Sequence, residues 1–179
     1  MFWDWMTRRY ETKVIQKDKS WVMKVCAWFL NAFHLMDKDR FLNQYVTTLN
    51  KRIYCPFKPG IDTSFSLAGQ IYGCVHEHRH VTQWNFWFPF LYLFSQKKRL
   101  AFEVQGFICT LEIYYWIFRR TLSVNTIIKR LREDYHCTNK KQLAKAKRRL
   151  EGANIMLEQG IFINNISREA IQWLEKHTS

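Results

Sequence analysis

Glycine and proline are scarce in this chain: 6 Gly and 3 Pro among 179 residues leave little room for long flexible linkers. The five cysteines, Cys26, Cys55, Cys74, Cys109 and Cys137, are an odd set with no CxxC spacing. They offer neither a disulfide framework nor a cysteine zinc site. Scattered thiols point to a reducing, cytoplasmic compartment with most of them buried as small hydrophobes. Long apolar runs are missing as well. The opening MFWDWMTRRYETK has no apolar stretch of the length a signal peptide requires. The longest apolar run, Trp84 to Phe94, is broken by Asn85 and Pro89 and falls short of the ~20 residues that span a bilayer. A soluble protein is expected. Acidic residues are the minority, 15 Asp+Glu against 28 Lys+Arg, for a net charge of +13. That balance suits nucleic acid, an anionic membrane or an acidic protein, and equally a solvated surface that keeps an apolar chain soluble.

What the chain does have is aromatic bulk: 8 Trp, 8 Tyr and 14 Phe within a 47% hydrophobic composition. This is ample for a packed core and excludes a disordered chain. The expected fold class is α+β, predominantly helical. Ser20 caps a helix through Leu30. Two β-rich runs, from Phe41 to Thr48 and from Lys51 to Cys55, flank the polar Leu49-Asn50 and predict a β-hairpin closed by Pro56. Asp62, Thr63 or Ser64 caps a helix over about 65–83. A Pro-interrupted aromatic connection follows to Ser95, then a long helix over about 97–119. Ser123 opens a helix to about Tyr135, Thr138 opens another over 139–157 stopped by Gly160, and Ser167 caps a short last helix. The organisation expected is an N-terminal helical segment (1–40), a metal-binding core (41–120) and a basic helical C-terminal region (121–179) packed on that core.

Residues 76 to 80 read His-Glu-His-Arg-His. Four residues apart on a helix, His76 and His80 lie ~40° apart around the axis, so both imidazoles can face one ion. Glu77 is ~100° round from His76 and within reach of the same face, whereas His78, at ~200°, points away. The bland alternative is two satisfied histidines on a helix face. A catalytic zinc needs a third protein ligand and an open position. A further histidine six residues after His80 would complete the metzincin pattern, but that position is Phe86. The acidic candidates on the next helix are Glu103 and Glu112, nine apart and so on opposite faces. Small Gly106 near Glu103 would admit a close approach of the two helices, which favours Glu103. Glu112, among Leu111, Ile113, Tyr114 and Tyr115, reads as a surface or capping carboxylate.

His76-Glu77-x-x-His80-Val81-x-Gln83, the aromatic run with Tyr92, and Arg99-x-x-x-Glu103 together resemble minimal gluzincin-type zinc metallopeptidases of bacteria and phages. These carry a short β-hairpin upstream of the site. The resemblance covers roughly residues 41 to 119 and departs at Gly106 and Phe107, where the family often has Ala or Asp. It implies a zincin-like core in which His76, His80 and Glu103 hold Zn2+ and Glu77 is the general base for peptide hydrolysis. Tyr92 and Tyr114 are weak candidates for the oxyanion helper, and that role stays unassigned. An edge strand at residues 51 to 55 could take a peptide substrate by strand addition. The alternatives are a non-catalytic structural protein, such as a virion component, stapled by the metal, or a basic nucleic-acid-binding helical protein.

Residues 129 to 149 concentrate basic charge. Lys140, Lys141, Lys145, Arg148 and Arg149 are the candidates to dock on nucleic acid or an acidic protein, opposite an apolar side of Leu143, Ala146 and Leu150. A solvated basic face is the plain alternative.

Overall fold

The computed structural model describes residues 1–32 and 37–178. Its described elements are α1 (Phe2–Arg9), β1 (Lys13–Gln16), α2 (Trp21–Ala32), α3 (Lys38–Gln44), β2 (Thr47–Leu49), β3 (Arg52–Cys55), α4 (Leu67–Gln83), α5 (Phe88–Phe94), α6 (Gln96–Phe118), α7 (Val124–Glu133), α8 (Lys140–Glu158) and α9 (Asn165–Thr178). The fold is α+β and mostly helical, with one small sheet ordered β1-β3-β2.

β2 and β3 form the antiparallel hairpin, with Thr47 opposite Tyr54 and Leu49 opposite Arg52. The turn is Asn50-Lys51, and Asn50 takes φ 56°, a left-handed conformation that Asn adopts more readily than most residues. Three expectations fail here. The first β-rich run is mostly helix: Asp37 caps α3 by accepting from the Arg40 N–H at 2.8 Å, so only Thr47–Leu49 is strand. The segment 1–40 is not wholly helical, because Lys13–Gln16 pairs in parallel with β3, Val14 opposite Ile53. Finally, β3 is the central strand, so residues 51–55 have no open edge, and among the described residues the edge strands are β1 and β2.

α6 is the pillar of the molecule. Its sequence is apolar all round, which calls for burial on every side. One flank packs with α1, α4 and α9 through Cys109, Ile113, Met6, Val75, Ile166 and Leu174. The other packs with α7 and α8 through Val104, Leu111, Ile127, Leu131, Leu150 and Leu157. A third cluster, Met23, Ala27, Phe41 and Tyr54, seats α2 and α3 on the sheet. On α8, Leu143, Ala146 and Leu150 are buried, while Lys140, Lys141, Lys145, Arg148 and Arg149 are exposed.

Several boundaries differ from expectation for local reasons. α4 is capped by Ser66, whose Oγ accepts from the Gly69 N–H at 3.1 Å; Asp62 instead closes its own turn, accepting from the Ser64 N–H at 2.9 Å. The aromatic connection contains α5, because Pro89 sits in the first turn, where a helix has no N–H bond to lose. α8 is capped by Asn139 rather than Thr138, its Oδ1 accepting from the Gln142 N–H at 3.0 Å. Ser167 lies inside α9 and is fully buried. The cap of α9 is Asn164, whose Oδ1 accepts from the Ile166 N–H at 3.1 Å, and Glu112 Oε1 accepts from the N–H groups of Ile163 (2.7 Å) and Asn164 (3.0 Å) just before the helix. Glu112 is thus neither a surface carboxylate nor the cap; it is buried, and burial pushes its pKa up, opposed by the two backbone N–H bonds it accepts.

Candidate metal centre

α4 and α6 are the most extensively paired helices, and the reason they approach so closely is Gly106. A Cβ built on Gly106 would lie 2.6 Å from His76 Nε2 and 2.7 Å from Cε1, inside contact distance. The bare backbone of α6 leaves room for the imidazole, and one turn before it α6 presents Glu103. His76, His80 and Glu103 are all buried, at 7%, 6% and 2% exposure. Their ligand atoms converge: His76 Nε2 lies 3.1 Å from His80 Nε2, Glu103 Oε2 3.4 Å from His76 Nε2, and Glu103 Oε1 3.4 Å from His80 Nε2. Ligands at ~2.05 Å around a tetrahedral ion stand about 3.3 Å from one another, a spacing that the His76–His80 and His76–Glu103 Oε2 edges approach, while the His80 edge runs to the other carboxylate oxygen.

The hydrogen bonds around the cluster decide which ring nitrogens carry protons. The guanidinium of Arg79 can only donate, and it bonds to Oε1 of Gln105. Gln83 gives its amide N–H to the same oxygen at 3.1 Å. Its own Oε1 is therefore what faces His80 Nδ1, at 2.9 Å, and that nitrogen donates. The His80 Nε2 lone pair is left pointing into the cluster. On the other side, the Thr110 hydroxyl donates to the Gly106 carbonyl at 3.4 Å, so it accepts from His76 Nδ1 at 3.2 Å. His76 Nε2 likewise turns a lone pair inward. Glu103 Oε1 accepts from Tyr92 Oη at 2.6 Å, whereas its buried Oε2 has no hydrogen-bond partner.

Two imidazole lone pairs and an orphaned carboxylate oxygen facing one another repel unless a cation lies among them. A proton is one such cation. Burial pulls His80 down, but the Glu103 charge beside it outweighs this and pushes it up to about 9. Burial raises Glu103 too, yet His80 and His76 hold its carboxyl well below the usual carboxylate range. A divalent metal is the other, and the nitrogen-nitrogen-oxygen donor set suits one. These three residues could hold a metal ion, and they are the one such group among the described residues.

Glu77 projects from α4 beside the cluster. Its Oε2 accepts from the Thr48 hydroxyl on β2 at 2.7 Å. Glu77, His80, Tyr92 and Glu103 line a cavity of about 510 Å³ whose other walls are largely apolar, from α2, β2 and α5. His78 is directed elsewhere, into the first core cluster: Nδ1 donates to the Cys74 carbonyl at 2.8 Å and Nε2 accepts from Thr12 Oγ1 at 3.0 Å. Burial lowers its pKa to about 4.

Of the residues singled out in the sequence, His76, His80, Glu103 and Glu77 are brought together, and Glu112 and Tyr114 lie apart. Thr48, Thr110 and Gln105 were not singled out, Gln83 entered only within the family pattern, and Tyr92, a weak oxyanion candidate, instead bonds the ligand candidate Glu103. Gln83 and Gln105 could have been found, since polar amides at i+3 from His80 and one residue before Gly106 sit on helix faces that must meet. Comparison with known families, curated proteins and solved structures finds no match to this chain. No described helix is long and apolar enough to cross a membrane.

Proposed function

We propose that this chain is a zinc-dependent metallopeptidase with a minimal gluzincin-like core. The observation that carries the reading is Glu77, a carboxylate with no part in the His76–His80–Glu103 cluster, held on the wall of the same cavity. Zinc, when bound by those three residues, would polarise a scissile carbonyl and acidify a water molecule. Glu77 takes the proton from the attacking water and delivers it to the amine nitrogen as the C–N bond breaks. Thr48, by donating to one carboxylate oxygen, fixes the rotamer of Glu77 and leaves the other oxygen for that transfer. Gln83 and Thr110 hold the two imidazoles in their ligating tautomers. Tyr92 is engaged with Glu103, so it supports a ligand. β2 is the strand beside the cavity with a free edge, and an extended peptide could add there in register with Thr47–Leu49.

A second reading is a non-catalytic protein that uses the metal as a folding staple, and the burial of all three ligands favours it. Glu77→Gln separates the two. On the peptidase reading it keeps the metal and loses about 10²- to 10⁴-fold in peptide cleavage. Cleavage at the wild-type rate in this variant, or none by metal-loaded wild type across a peptide library, counts against catalysis.

A further inference from the structure

The large apolar side chains that reach solvent gather on two helices beside the cavity. On α2, Trp21, Val25 and Trp28 follow at i, i+4 and i+7, one stripe, with Trp21 74% and Trp28 65% exposed. At and before α5, Phe86, Trp87, Phe90 and Phe94 are all more than half exposed, and the Trp87 ring packs on Phe86 at 5.3 Å and Phe90 at 6.4 Å between centroids. Val25 of α2 and Leu93 of α5 are exposed and also line the cavity. The two aromatic stripes therefore flank its opening.

Within the two segments that carry these stripes the charge is of one sign. No Asp or Glu occurs from Lys19 to Ala32, nor from His78 to Phe102. Lys19 and Lys24 are exposed on the first segment, Lys97 and Lys98 on the second. Exposed Trp and Phe bordered by lysines is the composition that partitions into the headgroup region of an anionic bilayer, the rings entering the acyl boundary and the ammonium groups meeting lipid phosphates. Soluble monomers seldom expose aromatic surface on this scale without a partner. With no described helix able to span, the helices must lie along the surface.

We propose that α2 and α5 form a docking face for an anionic lipid bilayer, with the cavity mouth turned towards the lipid. The inference stands apart from the metal chemistry, since none of its residues touches the cluster.

The full chain is sedimented with vesicles of phosphatidylcholine alone and with vesicles containing phosphatidylglycerol, alongside Trp28→Ala/Phe90→Ala and Lys97→Gln/Lys98→Gln variants. Circular dichroism and a urea melt verify that each variant is folded. Wild type binds the anionic vesicles more tightly than the neutral ones, with a blue shift of tryptophan emission. The lysine variant loses about fivefold per lysine on anionic vesicles, and the aromatic variant loses binding to both. Absence of binding to anionic vesicles overturns the proposal, as does binding unchanged in both variants. A concentration-dependent dimer abolished by Trp28→Ala/Phe90→Ala, without vesicle binding, also overturns it and assigns the face to a second copy of the chain.

Discussion

Gly106 and His76 share a space that admits no further atom: a methyl group on Gly106 would sit 2.6 Å from the nitrogen that His76 turns towards Glu103. The closeness of α4 and α6, and with it the convergence of the three ligand atoms, depends on that missing side chain. Gly106→Ala is therefore expected to displace the imidazole and weaken metal binding by about 10- to 100-fold, as loss of ligand support does elsewhere. It also overpacks the helix interface at a cost of about 1 to 3 kcal/mol. A competitive chelator titration and a urea melt measure the two effects. Unaltered affinity would mean that His76 does not ligate.

Tyr92 gives its hydroxyl to Glu103 Oε1 at 2.6 Å. Tyr92→Phe keeps the ring against Phe88 and removes only that bond, so metal affinity falls by about tenfold while the fold persists. The same chelator titration checks it. A fall in cleavage with unchanged affinity would instead move Tyr92 from ligand support to the reacting groups.

His78 supplies the clearest pH dependence. Burial lowers its folded-state pKa to about 4, from an unfolded value near 6.5. Between these values the unfolded chain binds a proton that the folded chain refuses. Stability from this group is thus complete above pH ~6.5 and is lost as pH falls towards ~4, a change of about 3 kcal/mol. Urea midpoints across that window should fall for wild type and fall less for His78→Gln.

Lys17 is fully buried, and its ammonium donates to the carbonyls of Phe41 (2.7 Å) and Tyr45 (2.8 Å) and to Thr47 Oγ1 (2.7 Å). Burial pulls its pKa down to about 7, against the charge of Glu77. Three acceptors match the three N–H bonds of the charged form, which ties α3 to the edge strand over the cavity. Lys17→Met leaves those acceptors unpaired and is expected to destabilise by about 2 to 4 kcal/mol in chemical denaturation. A neutral or stabilising outcome would show that the charge costs more than its bonds return.

Much of the helical layout was legible because capping residues and apolar periodicity are local signals: Ser20, Ser123 and Gly160 mark helix ends where expected. The i, i+4 spacing placed His76 and His80 together, and the small residue at 106 pointed to Glu103. Other parts depend on tertiary pairing. β1 is four residues without a strand pattern of its own and exists through its pairing with β3. Lys17 looks like a surface lysine until the carbonyls that surround it are assembled. Tyr92 was only a weak oxyanion candidate in the sequence because the partner it supports is eleven residues away on a different helix. Ser167 had the form of a cap, but the helix begins earlier: Asn164 takes the Ile166 N–H, and Glu112, 51 residues upstream of Ile163, holds the chain just before it.

The central claim is that His76, His80 and Glu103 hold one metal ion. Elemental analysis of the protein purified without added metal tests it most directly, on wild type and on His76→Ala, Glu77→Ala and Glu103→Ala variants. The account predicts about one zinc per chain in wild type and Glu77→Ala, and none in the other two. Wild type that stays metal-free even when zinc is supplied, or His76→Ala and Glu103→Ala variants that retain the metal, would contradict it.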